Sequence, residues 1–226
     1  MCFSASASFG ASAILAVAGI AALKKTETSS QIMFASIPII FSILQFIEGF
    51  VWLTLTHSNF SQLQSIPTTI FLFVAQEVWP FWLPLSFLLI EKDKRRKMML
   101  KALVGLGSLA SLFLAYRVLF HPVSAAITPF HIDYQLSFSY QQYSIIVSIF
   151  YFLATIIPPF IAGGKRMISL GLLNLTSFII TIIFFENYVI SVWCYFAALI
   201  SLEVFLAIKD LNAKPRLTPI SLDLIK

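Results

Sequence analysis

Long apolar stretches, separated by four short clusters of basic residues, dominate this sequence. The clusters are Lys24/Lys25, 92–101, Lys165/Arg166 and 209–226, and together they hold every Lys and Arg except Arg117. Each intervening apolar stretch is long enough for one or two membrane crossings, at ~20 residues for ~30 Å of hydrocarbon. The pattern predicts a helical multi-pass membrane protein, because a helix satisfies all its backbone hydrogen bonds within lipid.

Hydropathy divides the chain into seven predicted crossings. The fold class that follows is all-α, a seven-transmembrane-helix bundle that forms one domain over residues 1–208, with a polar tail at 209–226. The longest predicted loop is 121–142, which contains two prolines. The predicted crossings are 4–23, 32–55, 66–90, 99–120, 143–162, 167–185 and 188–208.

The basic clusters also predict the orientation of the chain. Cytoplasmic loops are enriched in Lys and Arg, so the number of crossings between neighbouring clusters should be even. This places the N-terminus outside and the C-terminus in the cytoplasm. Lys24 and Lys25 follow the first apolar stretch, the reverse of a secretory signal peptide, so we expect that stretch to be a retained helix.

Composition narrows the possible partners. The chain is 59% hydrophobic and 11% charged with a mean hydropathy of +0.90, against roughly 45–50% apolar and 25% charged in soluble domains. Its net charge of +5 lies in loops beside the membrane, where it meets anionic lipid head groups. We therefore expect the lipid bilayer as a partner and no nucleic acid, whereas an oligomer is compatible with the sequence.

The second predicted crossing carries Gln45, Glu48 and Trp52, which share one helix face at i, i+3 and i+7. A carboxylate about two turns inside the membrane is disfavoured by several kcal/mol unless it is protonated, hydrated or paired. We therefore expect Glu48 to bind a ligand or to pair with another helix.

The third crossing contains Gln76 and Glu77, followed by Trp79, Pro80 and Pro84. Each proline lacks the N–H that would bond the carbonyl four residues earlier. Two interpretations stay open at this point. The free carbonyls form a polar notch that lines a cavity, with the prolines as hinges, or the prolines only kink the helix.

Two further polar positions belong to the predicted pocket. Arg117, about one turn from the outer end of the fourth crossing, either neutralises a carboxylate or binds an anionic ligand bidentately. Ser4 begins a first crossing rich in Ser and Ala, which either packs closely against other helices or forms the wall of a polar cavity.

Cys2, Glu48 and Glu77 are the candidates for catalysis and for metal binding. They could build a thiol or metal site, but none of the spacings typical of zinc, haem or dinucleotide sites is present. We predict no particular metal or cofactor. Cys2 and Cys194 are interpreted as free thiols.

Three motifs resemble an uncharacterised family of small bacterial seven-span proteins that begin with MCFSA. They are the N-terminal Met1–Ala5, the segment Gln45–Trp52 and the two prolines after Trp79. The resemblance implies a multi-pass protein of the bacterial inner (cytoplasmic) membrane, with Cys2, Glu48, Trp52 and Trp79 in the shared motif. It implies no activity. The topology is also similar to that of small sugar transporters and of seven-span ceramidases, although the histidine array of the ceramidases is absent.

We predict an outward-facing polar pocket between the first four crossings that binds a small molecule or an ion, as a transporter or a sensor. Two alternatives stay open. One is a membrane enzyme that uses Cys2 with Glu48 and Glu77, and the other is a structural membrane subunit. The residues predicted to bind the ligand are Ser4, Gln45, Glu48, Trp52, Gln76, Glu77, Trp79 and Arg117.

Overall fold

The structure, a computed structural model, describes residues 4–128, 131–136, 141–184 and 196–213. These residues are mostly helical. Short 3₁₀ turns at Ser29–Gln31 and Ser58–Leu63 precede the second and the fourth helix. The helices are α1 (Ala5–Lys24), α2 (Ile32–Ala35), α3 (Ile37–Thr56), α4 (Ser65–Phe73), α5 (Trp79–Ile90), α6 (Lys94–Phe120), α7 (Gln141–Ile156), α8 (Pro158–Ala162), α9 (Lys165–Phe184) and α10 (Ala197–Asn212).

Six helical segments within the described residues are long and apolar enough to cross a membrane. This confirms a multi-pass membrane protein. Helix α10 contains the second half of the predicted crossing 188–208, and the first half of that crossing lies outside the described residues. The six segments are Ala5–Lys24, Ser29–Thr56, Ser65–Ile90, Lys94–Phe120, Ile145–Ala162 and Lys165–Phe184.

The described basic residues of the four clusters, Lys24/Lys25, 92–101, Lys165/Arg166 and Lys209, gather at one end of the bundle, which we call the basic end. There, Nη1 of Arg96 donates to the carbonyl of Ala162 at 3.0 Å. The side chain of Asn212 joins two other helices, since its Nδ2 donates to the carbonyl of Lys25 and its Oδ1 accepts from Nε2 of Gln31, both at 2.6 Å. The loops that the charge pattern assigns to one side of the membrane therefore meet in space.

The opposite end, the hairpin end, carries a feature that the sequence analysis missed. The predicted loop 121–142 contains two antiparallel strands, β1 (Val123–Thr128) and β2 (His131–Leu136), so the fold is not entirely α-helical. One face of the hairpin packs on the bundle, because Ile132 is fully buried and Tyr134 stacks on Phe71 of α4 with ring centroids 4.8 Å apart. The alternation of apolar and polar residues in β2 is the sequence signal from which this strand could have been predicted.

Besides the single turn residue Ser36 that separates α2 from α3 in the crossing predicted at 32–55, two predicted crossings are interrupted rather than continuous. Between α4 and α5, residues Val74–Val78 form a π-helical turn, in which one extra residue widens the helix before Pro80. The crossing predicted at 143–162 breaks after Ile156, because the adjacent Pro158 and Pro159 cannot continue the backbone ladder of α7. Both interruptions face the interior of the bundle, where they shape the site described below.

Helix α1 packs against α3 through small and hydroxyl side chains. Ser12 and Ser42 exchange hydrogen bonds, each hydroxyl donating to the other residue's carbonyl at 2.9 and 2.8 Å. A Cβ at Gly49 would come within 2.6 Å of the Phe9 ring. The close approach of two backbones is typical of small residues at membrane helix interfaces, so the described part of α1 acts as a packing helix.

Candidate functional site

A cavity of about 390 Å³ lies inside the bundle, within the size range of small-molecule sites. It is bounded by α3, α5, α6, α7, α8, α9 and α10. Most of its wall is aliphatic or aromatic. Phe41 of α3 and Trp79 of α5 form part of that wall, with their ring centroids 4.4 Å apart and their planes inclined at 33°.

Five polar side chains interrupt this apolar wall. Within the described lining, Arg117 is the one side chain that carries a charge at neutral pH. It belongs to the last turn of α6 and therefore lies towards the hairpin end. The polar lining side chains are Gln76, Arg117, Ser148, Thr155 and Asn174.

The π-helical turn is held in place by α6 and α7. The hydroxyl of Ser111 donates to the carbonyl of Glu77 at 2.6 Å, and the Tyr151 hydroxyl reaches the carbonyl of Ala75 at 3.4 Å. Carbonyls released by the widened turn and by the prolines need such partners within a bilayer. These contacts direct Gln76 and Trp79 to the cavity.

A second proline-linked contact lies across the cavity. Pro159 has no N–H to bond the carbonyl of Thr155, four residues earlier. The Nδ2 group of Asn174 donates to that carbonyl at 3.0 Å, so α9 replaces the missing backbone donor. Asn174 is 8% exposed, and its amide is therefore both part of the cavity wall and a link between α7 and α9.

Glu77 lies in the π-helical turn, close enough to Arg117 for the two side chains to interact electrostatically. Its side chain is 5% exposed. Within the described residues neither carboxylate oxygen accepts a hydrogen bond. Glu77 is not among the residues that line the described part of the cavity.

The model of a family of unknown function, DUF6629, matches residues 1–218. The chain belongs to this family. No curated protein and no solved structure matches the chain. The N-terminal and helical motifs predicted membership in an uncharacterised family, and this match confirms that prediction. A function for this DUF6629 member is therefore argued from its own geometry.

Three of the residues predicted to bind a ligand, Gln76, Trp79 and Arg117, line the cavity of this DUF6629 chain. They come from the third and fourth predicted crossings. The predicted pocket lay between the first four crossings, whereas the cavity extends to α7, α9 and α10. The later helices, α7 to α10, supply more than half of the described lining residues.

The α3 residues of the prediction form a separate polar group. Gln45 and Glu48 are 1% and 0% exposed, and Nε2 of Gln45 donates to Oε2 of Glu48 at 3.0 Å. Trp52, one turn further towards the hairpin end, is 5% exposed. None of these three side chains lines the cavity.

The remaining predicted residues lie at or beyond the start of α1. The hydroxyl of Ser4 accepts a hydrogen bond from the backbone N–H of Ala7 at 3.2 Å, and so caps the helix. Cys2 and Cys194 lie outside the described residues. Across the described ranges, no group of three His, Cys, Asp or Glu side chains is placed to hold a metal ion.

The sequence analysis missed Ser148, Thr155 and Asn174. Serine and threonine are common in membrane helices, where a hydroxyl can bond a carbonyl of its own helix, as Thr155 does with Tyr151 at 2.8 Å. Asn174 was the detectable signal, because an amide in the middle of an apolar crossing needs a partner.

Proposed function

We propose that this protein crosses the cytoplasmic membrane seven times, with its N-terminus outside and its C-terminus in the cytoplasm. The segment before α10 completes the seventh crossing in this proposal. The distribution of charge supports the orientation, since Lys24/Lys25, 92–101, Lys165/Arg166 and Lys209 belong to the basic end. The hairpin end then faces the outside.

We further propose that the protein binds a small organic molecule in the intrabundle cavity, as a transporter or a sensor. The cavity itself carries this proposal. It combines a volume of about 390 Å³, an aromatic and aliphatic wall and a few inward polar groups, which is the usual construction of a ligand site. A purely structural subunit has no need for such a space, since close packing stabilises a bundle better.

The interrupted helices support a transport or signalling role. The π-helical turn at Val74–Val78 and the break between α7 and α8 both border the cavity. Broken helices at a site near the middle of the membrane are typical of secondary transporters, in which they permit alternating access. Pro80 and Pro84 are the proposed hinges, and Glu77, beside Arg117, is the proposed proton-exchanging group.

The proposal is tested by asking whether a compound co-purifies with the cavity. The protein is purified from its native membrane, and bound compounds are extracted and identified by mass spectrometry. Leu114→Trp fills the cavity from α6, and Leu112→Trp, on the same helix at a position 70% exposed, is the matched control.

We expect a compound in the wild type and in Leu112→Trp that is absent from Leu114→Trp. Gel filtration and thermal unfolding establish that each variant is folded, and Val147→Phe provides a second way to fill the cavity. If the same compounds co-purify with the folded wild type and with both cavity-filling variants, Leu114→Trp and Val147→Phe, the proposed ligand site is wrong. Flux of the identified compound in proteoliposomes then separates a transporter from a sensor.

A further inference from the structure

The cavity is elongated along the helix axes. On α7 and α8 its lining extends from Val147 to Pro159, and on α9 from Leu170 to Ile182. At 1.5 Å per residue each of these segments spans about 18 Å, which is more than half the hydrocarbon thickness of a bilayer. A compact ion or sugar would leave most of this length unfilled, so the shape favours a long ligand.

The two ends of the cavity differ in polarity. Arg117 lies towards the hairpin end, whereas Ile37, Phe87 and Val204 form the wall towards the basic end. These three side chains are at most 1% exposed. An apolar body is favoured at that end because burying it removes apolar surface from water, and a polar group there would lack partners.

The charge of the wall is positive. No carboxylate lines the described part of the cavity, and Arg117 supplies its one full charge. Glu77 is close enough to interact electrostatically with Arg117, but within the described residues neither of its carboxyl oxygens accepts a hydrogen bond. A planar guanidinium recognises carboxylates and phosphates bidentately, whereas a cationic ligand would be repelled.

We infer that the cavity, if it is the ligand site proposed above, takes an amphiphilic organic acid. The carboxylate or phosphate of the ligand binds Arg117, and its apolar body extends between α5, α7, α9 and α10 towards the basic end. Gln76 and Ser148 lie in the lining with Arg117 and are the additional hydrogen-bond donors for the acidic group. The same chemistry is offered by an anionic lipid of the bilayer and by a free long-chain acid.

Binding is measured with defined probes on the full-length protein in phosphatidylcholine nanodiscs. Dodecanoate is compared with dodecanol, which has the same chain without a charge, and with dodecylamine, which has the opposite charge. Trp79 in the cavity wall provides an intrinsic fluorescence signal. We expect dodecanoate to bind at least tenfold more tightly than either analogue.

Arg117→Gln should weaken dodecanoate binding by about tenfold to a hundredfold, as expected for the loss of a charge-assisted hydrogen bond, and leave dodecanol binding unchanged. Lys101→Gln removes a positive charge from the same helix at an exposed position outside the cavity, and should change the affinity for neither dodecanoate nor dodecanol.

Nanodiscs that contain phosphatidylglycerol distinguish an anionic lipid of the bilayer from a free long-chain acid as the source of the ligand. Competition with dodecanoate assigns the site to an anionic lipid, and no competition assigns it to a free acid.

Equal affinity for the three probes, or unchanged dodecanoate binding in Arg117→Gln, would overturn the inference that the ligand is an acid. Equal affinity for benzoate and dodecanoate would overturn the inference that the ligand has a long apolar chain. Failure of the proposed ligand site itself has a different signature, because Leu114→Trp would then leave the binding of every probe unaltered. If Arg117→Gln does not fold, Arg117→Lys provides the test, since it keeps the charge and loses bidentate geometry.

Discussion

Gly107 of α6 lies directly against the carbonyl oxygen of Pro80, and a Cβ at position 107 would overlap that oxygen. The carbonyl is available because Pro84, four residues later, cannot donate to it. Ser111, one turn further along α6, donates to the carbonyl of Glu77. Helix α6 thus follows the irregular backbone of the third crossing closely and keeps the π-helical turn beside the cavity.

Gly107→Ala should destabilise the protein by roughly 1–3 kcal/mol, because the added methyl group meets backbone that cannot rotate away. Gly105→Ala is the matched control, since nothing lies within 4 Å of its Cβ position. That change should stabilise helix α6 by about 0.5–1 kcal/mol. Thermal unfolding in detergent measures both, and equal unfolding temperatures for the two variants would contradict the observed close approach.

Asn174→Ala removes the donor that satisfies the Thr155 carbonyl. Leaving a buried carbonyl unpaired should cost about 1–3 kcal/mol and loosen the contact between α7 and α9. Thr181→Val, on the same helix, removes a hydroxyl that, among the described residues, bonds the carbonyl of Ser177 at 2.7 Å, and it should have a smaller effect. The comparison is made by thermal unfolding, and a larger loss for Thr181→Val would argue against the replacement of a backbone donor by Asn174.

Asn212→Ala should weaken the basic end, because one amide joins the carbonyl of Lys25 to the side chain of Gln31. Loss of two hydrogen bonds predicts about 1–3 kcal/mol. Asn59→Ala, at an exposed position in the turn before α4, provides a control with an expected change near zero. Limited proteolysis at the C-terminus should accelerate in Asn212→Ala alone.

The β-hairpin should become less stable in acid. Burial lowers the pKa of His131 below its ordinary value of 6.5, so the folded hairpin favours the neutral imidazole. The unfolded segment binds a proton first as the pH falls. Stability is therefore fully present above about pH 6.5 and decreases as the pH falls towards the folded pKa.

Hydrogen exchange of residues 123–136, corrected for intrinsic rates, measures this effect at pH 7.5 and pH 5.5. Protection should decrease at the lower pH in the wild type. His131→Gln should remove most of the pH dependence, because the glutamine side chain does not titrate in this range. An unchanged pH dependence in that variant would assign the effect to another group.

The proposed orientation predicts the behaviour of reporter fusions. Alkaline phosphatase fused after Asn59 should be active, since the hairpin end is proposed to face outside, and fusions after Asp93 or Gly164 should be inactive. Green fluorescent protein at the same points should give the opposite pattern. An active alkaline phosphatase fusion after Asp93 would contradict the proposed orientation and would place the basic end outside.

Part of the candidate site could be recognised in the sequence because polar groups are costly in apolar helices. That rule selected Gln76 and Arg117, which line the cavity. The same rule selected Gln45 and Glu48, which form a buried pair within α3 and lie outside the cavity lining. The free-energy cost of a polar side chain in the membrane indicates that the side chain needs a partner. It does not indicate whether that partner is a ligand, another helix or a neighbour one turn away on the same helix.

The sequence by itself determined the membrane character and the positions of most crossings, because hydrocarbon thickness and the cost of charge act on each segment separately. Only the tertiary structure decided where the cavity lies and which of the polar residues reach it. It also decided that α6 supplies a hydrogen-bond donor to a carbonyl of the π-helical turn, and α9 a donor to a carbonyl released by a proline. These features depend on how several helices approach one another. A cavity is the space that their packing leaves unfilled, and no single segment encodes it.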